Sequence, residues 1–355
     1  MKFCFFSSAS YMGPAPSLSL WPMPPRFCDR DVAEVSLARA VETCRLAEEL
    51  GFDWVSVSEH HSATLTLTPS TTVIAGALSQ VVTRAKIAVL GPIMPLSHPI
   101  RVAEELAQLD HLTGGRLITL FLQGTPNEHR AYEAKSGDLR ALTQESIELI
   151  IKAWTEDEPF AWHGRHFSFP NVAVWPRPRQ TPRPFVFGSG NNEGSAVFAA
   201  RQRIGMALSF LPLEAVRQRV ALYRAEAEKS GWRPEASDIV YRGLGHLAET
   251  DEEAEREMAA AVEAKVAASL TLQQEGGCPL TPGAPVAERA PLFSRPLFLG
   301  SPARVREICR AFHEAGVGTL DIAFHWGITS YEQQLRSMTL FAQQVIPDAR
   351  AWNAR

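Results

Sequence analysis

The sequence predicts a (β/α)8 barrel, and three observations carry that prediction. Short apolar stretches alternate with stretches of helical periodicity along the whole chain. The apolar stretches are nearly continuous rather than alternating, as in parallel strands buried on both faces. Eight such strands can be counted, each followed by a helix, with no internal repeat and no linker that would split the chain. All 355 residues are therefore expected in one domain, with an insertion loop near residues 271–298.

Taken in order, residues 1–7 read as the first strand, and the Pro- and Gly-rich segment from Gly13 to Pro25 reads as a loop. Helical periodicity runs from Asp31 to Leu50 and stops at Gly51. A short buried strand follows and delivers Glu59, His60 and His61 together where it runs out. A helix over Ser70 to Val82 leads to a strand at Lys86 to Leu90, after which Gly91, Pro92 and Pro95 are expected to forbid a regular ladder. Then come a helix from Ile100 to Leu112, a strand from Arg116 to Phe121 and a helix from Arg140 to Trp154.

A small antiparallel excursion is expected between Phe160 and Val174, and Pro184 to Phe187 is a strand. The turn Gly188 to Ser195 opens a helix that runs to about Gln202. Strands at Met206 to Phe210 and Ile239 to Leu247 alternate with helices at Leu213 to Lys229 and Asp251 to Leu270. Gln273 to Ser294 has four prolines and no periodicity, so it reads as a long mobile loop. Pro302 to Ala315 is a helix, Thr319 to Phe324 the last strand and Tyr331 to Val345 the last helix.

Hydrophobic residues at 45% and charged residues at 21% suit a globular chain with a sizeable core. The net charge of −4 and the lack of a basic cluster do not suggest binding to nucleic acid or an anionic membrane. The 5 cysteines are scattered and lack CxxC spacing, so neither a zinc site nor a disulfide framework is expected. No apolar run approaches a membrane span, and a reduced, cytoplasmic setting fits.

Side chains successive on a strand face opposite ways, so His60 and His61 cannot both point into a barrel. If Trp54, Ser56 and Ser58 share the inner face, His60 joins them and becomes the working histidine. Glu59 would orient an imidazole or restrain a loop. The glycines of the Gly188 to Ser195 turn, Gly190 among them, would let the backbone approach an anion held by the helix start. A plain N-cap at Asn191, Asn192 or Ser195 is the competing reading. Arg140 opposes the dipole of the helix it opens, which fits an anion contact as well as it fits a solvated surface. The GxGxxxG spacing in mid-chain does not match a dinucleotide fingerprint.

Several stretches occurring in a fixed order give a resemblance to the bacterial-luciferase-like flavin monooxygenases over nearly the whole length. They are MKFCFF, AEELGFDWVSVSEHHS, MPLSHPIRVAEELAQLDHLTGGRL, the run from HGRHFSF to PRPRQTPRPFVFGSG, SAVFAARQ, LGSPARVREI and LRSMTLFAQQVIP. The resemblance implies a (β/α)8 barrel, a homodimer, and reduced FMN bound at the carboxyl rim of the strands. A separate flavin reductase would supply the FMNH2, and its C4a-peroxide with O2 would oxygenate a small, hydrophobic organic substrate. His60 matches the catalytic histidine, and Asn191, Asn192, Ser195 and Arg140 match phosphate contacts. A non-prolyl cis peptide under the flavin ring would fall at Leu90-Gly91.

Two positions depart from luciferase. A Cys-Arg pair is replaced by Leu122-Gln123, so Gln123 offers the phosphate only a neutral hydrogen bond, and a glutamate of the phosphate turn corresponds to Asn191. Phe6 and Trp326, at the ends of inner strands, would wall the substrate side or simply pack in the core. Three other readings remain open: hydride transfer with F420 on the same fold, a non-catalytic flavin binder, and a metal-dependent hydrolase using Glu59, His60 and His61.

Overall fold

The structure, a computed structural model, describes residues 1–14, 21–134, 137–276, 297–325 and 328–354. Eight parallel strands close on themselves: β1 Lys2–Ser7, β2 Trp54–Ser58, β3 Lys86–Ile93, β4 Leu117–Leu122, β5 Phe185–Ser189, β6 Gly205–Ser209, β7 Ile239–Leu247 and β8 Thr319–Ala323. Each pairs with its neighbour in sequence, and β8 returns to β1 with Lys2 opposite Thr319. Helices separate most successive strands and pack outside them, so the expected barrel is the fold observed.

The period of two along each strand divides the core into two layers. Phe3, Phe5, Val55, Val57, Ile87 and Val89 face the helices, whereas Cys4, Phe6, Trp54, Ala88, Leu90 and Ile118 face the barrel axis. Many of the helices begin where the sequence offers an oxygen acceptor. Asp29, Ser70, Asp138, Asn192, Ser301 and Ser330 each accept a first-turn backbone N–H. The antiparallel hairpin is Phe160–His163 with Ser168–Val172, and the Glu145 carboxylate on the Leu139–Thr155 helix pins it by accepting from Trp162 Nε1, His166 N and Phe167 N.

Several elements differ from the sequence reading, four of them near the barrel's carboxyl half. β3 does not stop at Leu90: Leu90 and Gly91 both face Leu120, and this bulge absorbs the irregular residue so that pairing resumes at Ile93. A six-residue helix, Pro126–Ala131, is too short and polar to show periodicity. A short strand, Leu297–Gly300, adds to β7 at its carboxyl half, opposite Leu244 to Leu247. The Asp251–Gly276 helix runs past Leu270, so the expected loop from Gln273 begins as helix. Residues 277–296 of that loop lie outside the described residues.

At the amino end the barrel closes through Gly318, whose N–H donates to Ile239 O and whose O accepts from Lys2 N. A Cβ there would sit 2.2 Å from the backbone carbon and oxygen of Ala236, and backbone cannot swing aside. Gly318→Ala should therefore cost at least about 2 kcal/mol by overpacking, read as a lowered urea midpoint with an unchanged slope.

Candidate active site at the carboxyl rim

Beyond Ser58 the chain leaves β2 and the two histidines part. His61 is buried: its Nε2 lies 3.0 Å from Glu59 Oε1 and its Nδ1 2.9 Å from the Tyr132 hydroxyl, whose ring meets the imidazole edge-on. With Nε2–H donating to the carboxylate, Nδ1 accepts from Tyr132. The other Glu59 oxygen accepts from Ile93 N, and Gly91 leaves the space for it. A Cβ at Gly91, where φ is +144°, would lie 2.9 Å from the Glu59 Cβ. Glu59 thus orients His61 and restrains the β3 end, and it is not the partner of His60.

The partner of His60 is Glu128, a residue the sequence reading passed over. His60 Nδ1 lies 3.0 Å from Glu128 Oε1, while Glu128 Oε2 accepts from Thr125 N at 2.7 Å and caps the Pro126–Ala131 helix. The His60 side chain is 43% exposed and that of Glu128 only 2%. Nδ1–H therefore points to a buried carboxylate, and Nε2, which has no bond among the described residues, is free for a reactant. Burial alone would raise the Glu128 pKa, but hydrogen bonds and charge from His60, then from Thr125, outweigh it and hold the carboxyl at about 2. The signal available in the sequence was Thr125-Pro126-Asn127-Glu128, a capping-box spacing with proline at the first helical position.

Inside the barrel, small side chains at Cys4, Ala88 and Ala207 leave a cavity of about 50 Å³ that Leu90, Leu120, Leu122 and Phe187 also line. Its polar wall was likewise not foreseen. Arg242 on β7 donates from Nε and Nη2 to Asp321 Oδ2 on β8, at 2.9 and 2.6 Å, and Ser56 Oγ donates to Asp321 Oδ1 at 2.8 Å. The Arg242 guanidinium covers the Phe6 ring at 3.7 Å from its centroid. Phe6 thus supports that arginine as well as facing the barrel interior. A lone arginine in IVYRGLGHL and a lone aspartate in TLDIA, both at inward-facing positions, were the visible signals.

The end of β5 brings together most of the expected anion-binding residues. Asn192 Oδ1 caps Ser195 N at 2.9 Å at the start of the Glu193–Arg201 helix. Arg140 Nη1 lies 3.1 Å from where a Cβ on Gly194 would sit, so the guanidinium borders the first helical turn. No ion-pair partner of Arg140 occurs among the described residues. Gly190 N donates to Ala207 O, and the Asn191 amide is spent on Ser209, accepting from its N and donating to its O. Gln123 is exposed, and its carbonyl accepts from His129 Nε2. The Leu90-Gly91 expectation is corrected: the cis bond is Gly91-Pro92, where the tertiary amide of proline lowers the preference for trans. Trp326 lies outside the described residues.

The parallel barrel thus carries a carboxylate-held histidine and a cationic helix start beyond the carboxyl ends of β2 and β5, above a largely apolar interior cavity, an arrangement in which the carboxyl face is the candidate site. The family model for luciferase-like monooxygenases matches residues 19–319, and the chain belongs to that family. It is 28% identical over 189 residues to the alkanal monooxygenase alpha chain of Photorhabdus laumondii, covering 53% of this chain and 51% of that one. It is also 28% identical over 177 residues to 4-hydroxyprotoasukamycin monooxygenase of Streptomyces nodosus, 50% of this chain and 43% of the other. The chain thus spans about half the length of the curated relatives it matches. Among solved structures, the monooxygenase RslO1 from Streptomyces bottropensis superposes with a TM-score of 0.78 at 25% identity, covering 98% of this chain and 99% of that one. No helix of the described residues is long and apolar enough to cross a membrane.

The Glu128 pKa is depressed in the folded state, so its contribution to stability is present above the unfolded value of 4.5 and is lost as pH falls towards about 2. Discounted for the half-exposed histidine, that contribution is about 2 kcal/mol. Glu128→Gln should flatten this part of the acid limb, checked by urea midpoints between about pH 6 and about pH 3.

Proposed function

We propose that the chain is the oxygenase component of a two-component flavin system. It takes reduced FMN from a separate flavin reductase and uses O2 to oxygenate a small, largely apolar organic molecule, as a cytoplasmic homodimer. What supports this reading is that one barrel carries three features. An apolar cavity lies inside it, and a histidine with an uncommitted Nε2 and a cationic helix start follow the carboxyl ends of β2 and β5.

The residues present fit the cofactor. Arg140 and the first turn of the Glu193–Arg201 helix would hold the phosphate, with Ser195 and Asn192 shaping that turn. Asn191 and Gly190 would act through the backbone they fix, and Gln123 would add a neutral donor. Leu90, Leu120 and Leu122 would give the ring system an apolar bed and keep water from it. Bound there, reduced FMN supplies the electrons that activate O2.

The rest of the chemistry is proton handling. Glu128 takes the Nδ1–H of His60, which makes Nε2 the basic nitrogen and fixes the plane of the ring. His60 then removes a proton from the reacting group or returns one to it. Glu59 and Tyr132, through His61, hold the adjacent backbone so that His60 is presented and not buried.

Anaerobic titration with reduced FMN and with reduced F420, followed by mixing with oxygen and substrate, tests the reading. Saturable binding of reduced FMN with O2-dependent product is expected, and binding of F420 alone would overturn it. His60→Ala should keep flavin affinity and lose oxygenation by ~10²-fold. Arg140→Ala should weaken FMN by about ten-fold while leaving riboflavin, which lacks the phosphate, unchanged.

A further inference from the structure

We propose that the amino face of the barrel carries a second binding site, for a phosphate monoester with an aromatic body. At the end opposite to the histidines, a cavity of about 320 Å³ lies between the starts of β3, β5, β6 and β7. Lys86, Arg183, Arg203 and Asp238 supply its charged lining, and Pro182, Pro184, Phe185 and Trp232 add apolar surface. Small-ligand pockets run from about 300 to about 1,000 Å³. This cavity falls within that range, whereas the one inside the barrel measures about 50 Å³.

The lining is held in place by the protein itself. Asp110, fully buried, accepts from Gln180 N at 2.8 Å and from Gln180 Nε2 at 2.7 Å, which anchors the segment that carries Pro182, Arg183 and Pro184 into β5. Trp232 donates Nε1 to Ala200 O at 2.7 Å and meets Tyr223 edge-on, so its polar atom is spent and its ring remains as wall. Arg203 stands where the Glu193–Arg201 helix stops. Its N–H donates to Ala200 O, the Ile204 N–H donates to Ala199 O, and its φ is +53°. Glycine is usual at this position of a helix stop, because a Cβ disfavours the left-handed region. An arginine there gives up stability and sets a cation at the cavity wall.

The cations have no internal counterweight. Arg183 Nη1 donates to Pro184 O and Arg203 Nη2 to Ser230 O, and neither arginine nor Lys86 has an ion-pair partner among the described residues. Most of each guanidinium fork is thus unspent. Burial lowers the Arg183 pKa, burial and then the nearby Lys2 ammonium lower that of Lys86, and no carboxylate offsets either shift. Asp238 is the one acid of the lining, and its Oδ2 already accepts from Glu235 N at 2.7 Å.

Three cations against one acid leave the lining two charges positive, in a chain whose net charge is −4. A dianion balances that excess and a monoanion leaves part of it unmet. A phosphate monoester is such a dianion near neutral pH, and its oxygens match the planar fork of an arginine. The proline and aromatic side chains beside the cations suit a flat apolar body. The inference is independent of the flavin reading, since it concerns the other end of the barrel.

The test titrates 1-naphthyl phosphate, 1-naphthoate, 1-naphthol and inorganic phosphate by calorimetry at about pH 7.5, where the ester is a dianion. The parent should bind the ester at least about ten-fold more tightly than any of the other three, with an affinity that falls as salt is raised. Arg140→Ala, which alters the cationic helix start at the carboxyl rim, should bind the ester as the parent does. Arg183→Met and Arg203→Gly should each weaken it at least about ten-fold. Because glycine adopts the left-handed turn without strain, the urea midpoint of Arg203→Gly should be no lower than the parent's.

Ester binding lost in Arg140→Ala and kept in the two amino-face variants would put the ester at the carboxyl rim and overturn the proposal. Equal binding of inorganic phosphate, naphthoate or naphthol would overturn it as well, as would a parent that binds no ester. A clearly lowered midpoint in Arg203→Gly would give that arginine a structural task and remove the ground for the site.

Discussion

The alternation of side chains along an extended backbone is the constraint on which this rim depends. It holds along β2 as far as Ser58, and beyond that point, where the chain leaves the strand, each imidazole has its own carboxylate. Glu59 and Tyr132 hold one ring in a buried position, while Glu128 reaches the other from the Pro126–Ala131 helix that follows β4 and leaves it 43% exposed. The same alternation on β7 and β8 turns Arg242 and Asp321 towards the axis, where a polar wall would otherwise have no means of support.

Much of the scaffold was legible because its signals are local. Apolar runs, helical periodicity and capping residues each operate within a few positions, and they located all eight barrel strands and the hairpin. The Asn192 cap and the nearness of Arg140 to the Glu193–Arg201 helix were also within reach, since a helix start and an unexplained basic residue both point to an anion. The strand at Leu297–Gly300 escaped because four residues beside a Pro-rich stretch carry no period of their own.

What the sequence hid was partnership at long range. Glu128 is 68 positions from His60, and Arg242 is 79 from Asp321. Each residue is conspicuous as a charge in an odd place, yet nothing local says what it faces. Glu59 was expected to orient an imidazole or restrain a loop, and only the fold shows that the imidazole it faces is His61. Gly91 shows a third kind of concealment: its need for space comes from Glu59, 32 positions earlier, and a bulge in the ladder rather than a break was the outcome.

The Glu128 carboxylate serves two masters, since one oxygen closes the first turn of a six-residue helix and the other sets the plane of an imidazole. The orientation of that ring is consequently only as durable as a single turn of polar helix, a unit with little cohesion of its own. Warming would fray this turn well before the barrel yields, and the protein would lose its poise while still folded. Thr125 and Pro126, which touch neither the histidine nor the cavity, then belong to its chemistry as a keystone belongs to an arch.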